Sequence, residues 1–242
     1  MFRNSLAALF MIGSAASAQA AVYDALGDFS IASNPNGPWS YGEGIAGSTF
    51  SPFVNAVANG TSSFWQSSTP AMGTPIVLKN TSGNAFFAPS VVFPTNVLII
   101  HPGPVNDVIV RFTAPSAGIY NYSGLFEILD YQLPAGVRGL IFHNGTSLFN
   151  SALIGAAANN STLTPGASIA FSGSVTLALG DNLSFAVNNG GNYTYDSTGF
   201  SASISSGVPE LSTWAMMLIG FAGLGAAGAR KRAADRSTLP AA

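Results

Sequence analysis

Ile169-Ala170-Phe171-Ser172-Gly173-Ser174-Val175-Thr176-Leu177-Ala178-Leu179-Gly180-Asp181-Asn182-Leu183-Ser184-Phe185-Ala186-Val187 is the stretch whose reading decides the fold. Ile169, Phe171, Val175, Leu177 and Leu179 alternate with Ala170, Ser172, Ser174, Thr176 and Ala178. After Gly180-Asp181 the pattern resumes, with Leu183, Phe185 and Val187 set against Asn182, Ser184 and Ala186. A period of two with one apolar face is the mark of a half-buried antiparallel strand. Gly180-Asp181 then reads as a tight turn between two such strands, with Asp181 as a turn residue.

The same pattern extends on both sides. Val108, Val110 and Phe112 alternate with Ile109, Arg111 and Thr113. Tyr120, Tyr122, Phe126 and Ile128 alternate with Asn121, Ser123, Leu125 and Glu127, and Phe200, Ala202 and Ile204 alternate with serines. Asn144-Gly145, between Leu140–His143 and Thr146–Phe149, is a type I′ hairpin signal. Many short strands with frequent turns predict an all-β, antiparallel sandwich or barrel over 21–207. The Ser-, Thr-, Asn- and Gly-rich stretch 57–84 reads as surface loop.

Composition narrows the function classes. Residues 21–207 carry three cations (Lys79, Arg111, Arg138) and eight acids. Such a domain has little with which to neutralise phosphate, which argues against nucleic-acid binding. The chain has no cysteine, which excludes disulfides, thiolate-held metals and thiol nucleophiles.

Both ends are membrane-active in character. Arg3 precedes an apolar run from Leu6 to Ala16, and Ala18-Gln19-Ala20 is a small-x-small cleavage site. Residues 1–20 therefore read as a secretory signal helix, cut after Ala20 or, alternatively, Ala18. At the other end, Trp214 to Ala229 contains no charge. Leu211 to Ala229 is 19 residues long, against roughly 20 for a helical membrane span. Trp214 would sit at one interface, and Arg230, Lys231 and Arg232 would hold the other end in the cytoplasm.

The order Val208-Pro209-Glu210-Leu211, apolar span, Arg230-Lys231-Arg232 closely resembles the PEP-CTERM sorting signal of Gram-negative bacteria. The family's second proline is Leu211 here. The resemblance implies export, a transient inner-membrane anchor, and recognition of Val208, Pro209 and Glu210 by an exosortase. It implies delivery to the cell surface or the extracellular polysaccharide matrix. Residues 208–232 would be the sorting signal and 233–242 a short cytoplasmic tail. The run Arg111-Phe112-Thr113-Ala114-Pro115, Ala117-Gly118-Ile119-Tyr120, Asn144-Gly145 and Tyr195-Asp196-Ser197-Thr198-Gly199-Phe200 is similar to the exported jelly-roll ectodomains joined to such tails. More distantly it resembles tumour necrosis factor-like jelly rolls.

Candidate chemistry is sparse. His101 and His143, with Asp107, Asp130 and Asp196, supply the residue types of a metal or acid–base site but no ligand spacing. Asp130, Asp181 and Asp196 fall at loops, where oxygen ligands suit calcium, but in no recognised calcium pattern. Asp196 reads more simply as a loop cap. No Gly-x-Ser-x-Gly motif or phosphate loop is present. The sequence thus assigns no catalytic residue, metal or cofactor. Trp39, Tyr41 and Trp65, with Tyr131, Tyr193 and Tyr195, form an aromatic set of the kind that stacks on sugar rings. The alternative is that these rings belong to the core. The reading that results is a non-enzymatic exported adhesion or glycan-contact protein. A secreted glycan hydrolase and a structural matrix protein without a specific ligand are the alternatives.

Overall fold

The computed structural model describes residues 20–67, 75–131, 136–155, 166–207 and 210–236. Ala21–Gly207 forms one compact unit. Its strands run in order from β1 (Val22–Asp24), β2 (Trp39–Gly44), β3 (Ser51–Pro52) and β4 (Asn55–Ala58) to β5 (Ser62–Gln66) and β6 (Ile76–Asn80). Then come β7 (Phe86–Phe87), β8 (Val92–Phe93), β9 (Leu98–His101), β10 (Asp107–Thr113) and β11 (Gly118–Ile128). The last five are β12 (Arg138–His143), β13 (Thr146–Asn150), β14 (Ser168–Leu177), β15 (Asn182–Asn188) and β16 (Thr198–Ser206).

These strands form two antiparallel sheets and a two-stranded ribbon. One sheet has the order β14-β11-β16-β9-β6-β5-β4, with β1 also paired to β16. The other has the order β13-β12-β15-β10-β2-β3, and β7-β8 stands apart. Trp39, Tyr41, Val108, Val110, Phe112, Leu183, Phe185 and Val187 of the second sheet join one buried cluster with Tyr120, Phe126, Phe171, Phe200 and Ile204 of the first. That is a β-sandwich: the two sheets bury one largely apolar face each against a shared core.

The alternation read from the sequence puts the right face inside in β10, β11, β15 and β16. Asn144 and Gly145 both have positive φ, 46° and 88°, as a type I′ turn demands, and β12 pairs with β13 around them. Two expectations fail. Leu179 is 72% exposed, because β14 ends at Leu177 and Leu179 belongs to the turn. Residues 57–84 are not all loop: β5 and β6 lie there, paired with each other, and β6 also pairs with β9. Small polar side chains disguised them. Ser62 and Asn80 are buried, the latter donating to the carbonyls of Asn84 and Phe93.

Glycine shapes the middle of β11. A Cβ on Gly124 would run into the Ser201 carbonyl oxygen and the Phe171 ring. Only a residue without a side chain lets β11, β14 and β16 keep their spacing at this point.

Described by itself, Glu210–Arg236 is a single helix, α1. Its described side chains, at 217–230, are exposed, Arg230 among them. Among the described residues no helix is long and apolar enough to cross a membrane, so these residues do not support the expected span. The leader over 1–20, Val208 and Pro209, and the side chains of Glu210, Trp214, Lys231 and Arg232 lie outside the described set, except for Ala20.

Candidate functional site

The aromatic residues singled out from the sequence are not surface rings. Trp39 and Tyr41 are fully buried and Trp65 is 5% exposed. Trp39 meets Phe112 edge-on at 5.4 Å and donates from Nε1 to Asp28 Oδ2 at 3.1 Å. Trp65 Nε1 donates to the Ser30 carbonyl at 2.8 Å. These three residues fill the core and present no face to a sugar, which corrects their assignment as glycan contacts. The physical reason is register: Trp39 and Tyr41 fall on the inward phase of β2. Tyr131 is tied through its hydroxyl to the Pro89 carbonyl, while Tyr193 and Tyr195 lie on the loop before β16.

The outer face of the second sheet carries a different constellation. Strand register aligns Phe142 with Ser184, Ser184 with Arg111, and Arg111 with Ser40, in one row across β12, β15, β10 and β2. The connection from β2 to β3 folds over this row. A Cβ on Gly47 would touch the Phe142 ring, and one on Gly42 would touch Phe50. Buried Asp107 pins the connection, accepting from Ala46 N at 2.9 Å through Oδ2 and from Asn188 Nδ2 at 2.7 Å through Oδ1. Between loop and sheet lies a cleft of about 340 Å³, walled by Phe50 and Phe142 and furnished by Arg111, Asn144, Asn182 and Ser184.

A hydrogen-bond chain fixes those polar groups. Arg111 Nε donates to Ser184 Oγ at 3.0 Å, and Ser184 Oγ to Asn182 Oδ1 at 3.3 Å. Asn182 Nδ2 donates to Asn144 Oδ1 at 2.9 Å, and Asn144 Nδ2 to Asp181 Oδ1 at 2.8 Å. Asp181 Oδ2 meets His143 Nε2 at 3.2 Å, the one ion pair among the described residues. The Ala178 amide, then Asn144 and His143, hold the Asp181 carboxyl below the usual range. Asp181 is thus the turn residue the sequence suggested, with a second task as the end of this chain.

Arg111 is the centre of the cleft. Its guanidinium lies 3.9 Å from the centroid of the Phe50 ring, a cation–π contact. Burial lowers its pKa, yet a guanidinium stays charged at any physiological pH. Its two terminal nitrogens have no hydrogen-bond partner among the described residues, and no carboxylate lines the cleft. Rigid donors beside aromatic walls can hold hydroxyl-rich or anionic ligands. Sequence reading missed this site. The only hint was Arg111 itself, the one cation of β10, on its outward phase.

A second polar group sits inside the domain. Asp130 is 2% exposed and Asp196 fully buried. Asp130 Oδ2 accepts from Ser197 N at 2.7 Å. Among the described residues, Asp130 Oδ1 and both Asp196 carboxylate oxygens have no partner at hydrogen-bond geometry. Burial first, then the charge of Asp130, pushes the Asp196 carboxyl up to about 8, against the pull of the nearby Gly136 amide. His101 holds the Pro102 carbonyl through Nδ1 at 2.6 Å, and burial lowers its pKa, against the pull of that carbonyl and of Asp130. His143 belongs to the outer cleft, so the two histidines do not share a site. Among the described residues no three His, Cys, Asp or Glu side chains are placed to hold a metal together.

No family model matches the chain, and no curated protein matches it. Solved structures give faint likenesses. A family 35 carbohydrate binding module from Clostridium thermocellum is 13% identical, with 54% of this chain and 90% of that one covered, at a TM-score of 0.30. The CBM51 module from Clostridium perfringens GH95, in complex with methyl-galactose, is 12% identical, with 68% and 99% covered, at 0.33. Latent PorU from Porphyromonas gingivalis is 14% identical, with 41% of this chain and 10% of that one covered, at 0.30. At this identity and superposition none of them bears on what the present chain does.

Proposed function

We propose that this is an exported PEP-CTERM protein whose jelly-roll-like ectodomain contacts extracellular polysaccharide through the Arg111 cleft, without catalysis. The observation that carries the glycan reading is the row Phe142–Ser184–Arg111 under the 45–50 connection. It supplies fixed amides, a guanidinium with unused donors and two ring walls in a cleft large enough for a sugar residue. Glycoside hydrolysis needs two carboxyl groups flanking the scissile bond. The cleft lining has none, which favours binding over hydrolysis.

Polysaccharide binding is tested by electrophoresis of the protein through gels containing neutral or uronate-rich polymers. Retardation by at least one polymer, lost in Arg111→Ala, supports the reading. Unchanged mobility in every polymer sinks it.

Sorting rests on Val208, Pro209 and Glu210, on Trp214, on the apolar run to Ala229 and on Arg230, Lys231 and Arg232. In this reading the tail crosses the inner membrane as one helix until an exosortase acts on it. The intact mass of the exported protein decides: a new N-terminus near Ala21 and loss of the residues after Pro209-Glu210 are expected. Leu211→Pro should reduce any membrane-retained fraction. A full-length product keeping both ends would overturn this part alone.

A further inference from the structure

We propose that Asp130 and Asp196 hold a hard divalent cation, calcium by chemical class, inside the ectodomain. This site is separate from the Arg111 cleft and independent of its reading. Among the described residues, three buried carboxylate oxygens, Asp130 Oδ1 and Asp196 Oδ1 and Oδ2, have no partner at hydrogen-bond geometry, and the nearby Gly136 amide offsets only part of the burial of Asp196. Buried polar atoms are nearly always satisfied, and a buried carboxylate left unpaired costs more than any neutral group. Here two carboxylates are buried close enough for the charge of one to disturb the other. No Lys or Arg answers them, since the one ion pair among the described residues is elsewhere.

The chain builds this arrangement deliberately. Asp130 directly follows Leu129, whose amide donates to the Ser197 carbonyl at 2.9 Å, and Asp130 Oδ2 takes the Ser197 amide in return. That double tie lays the end of β11 against residues 196 and 197. Tyr195, just before them, takes a left-handed φ of 61°, which few non-glycine residues adopt. The main chain thus turns inward here, and Asp196 is fully buried.

Oxygen donors that are anionic, buried and unused match what calcium takes from a protein. Two carboxylates supply the charge, and main-chain carbonyls or water would complete a coordination number of about six to eight. Zinc is a poorer fit. It prefers nitrogen and sulfur ligands, and His101 is not grouped with both carboxylates at metal-binding distance.

The test uses the full chain in detergent, stripped with EDTA and then exposed to calcium, magnesium or zinc chloride. Thermal unfolding should shift upward by about 5–10 °C at calcium a hundredfold above its Kd. Bound terbium should luminesce and be displaced by calcium. Asp196→Asn should abolish both effects. Should that variant fail to fold, the wild-type titration still decides. No calcium response in the wild type overturns the proposal and leaves Asp196 a protonated acid. A response to zinc alone, or a calcium response that survives in a folded Asp196→Asn, overturns it as well.

Discussion

The central guanidinium carbon of Arg111 sits over the Phe50 ring, 3.9 Å from its centroid, while Nε is spent on Ser184. The two contacts come from opposite walls, the 45–50 connection and β15. Among the described residues they leave the terminal nitrogens without a hydrogen-bond partner. A side chain held this way has already lost much of its rotamer freedom before any ligand arrives.

Arg111→Ala should therefore weaken binding of an anionic polysaccharide by about tenfold or more, the worth of a charged hydrogen bond. Arg111→Lys should recover little, because a point charge cannot reproduce the planar fork. Affinity electrophoresis of the three proteins side by side measures this. The unfolding midpoint should change far less than the binding.

Trp39→Ala should act on stability. Removing a fully buried tryptophan that packs on Phe112 should cost about 3–5 kcal/mol. Urea unfolding followed by fluorescence would show it as a lower midpoint. If the variant unfolds like wild type yet loses polysaccharide binding, the placement of this ring in the core is wrong.

Gly124→Ala places a methyl group against the Ser201 carbonyl. Overpacking of a core typically costs about 1–3 kcal/mol. The obstacle here is main chain between paired strands, so the upper end of that range or beyond is expected. Hydrogen exchange of the β11 and β16 amides should accelerate in the variant and not in Gly155→Ala, where a Cβ meets nothing.

Asp181 gives a pH dependence of known sign. Its carboxyl is held low by the Ala178 amide, Asn144 and His143. A group depressed on folding stabilises above its unfolded value, and that contribution is lost as pH falls through the folded one. Below about pH 4 the wild type should therefore lose stability faster than Asp181→Ala. Asp107 and Glu127, raised mainly by burial, act in the opposite direction in both proteins and drop out of the difference. Urea midpoints from pH 3 to 7 make the comparison.

Legibility in the sequence followed the physics of each element. The Asn144-Gly145 hairpin was readable because both turn positions need positive φ and few residue pairs tolerate it. The inward face of β10 and β15 was readable because large apolar side chains recur every second residue. β5 was not, since Ser62 and Ser63 imitate loop composition while Trp65 reaches into the core. The cleft was invisible for another reason. Phe50, Arg111 and Phe142 meet only through strand register and a connection that folds back over the sheet. Asp196 looked like a loop cap because nothing in Tyr-Asp-Ser-Thr tells an inward carboxylate from an outward one.

The pairing of β16 also fixes how the domain would carry a mechanical load. β11 flanks it along one edge, and β9 and β1 share the other. Tension arriving at Gly207 enters the strand that is braced on both edges rather than one that peels off the rim. Its rungs must shear together, and Val22, bridged to Ser205, is clamped beside the point of pull.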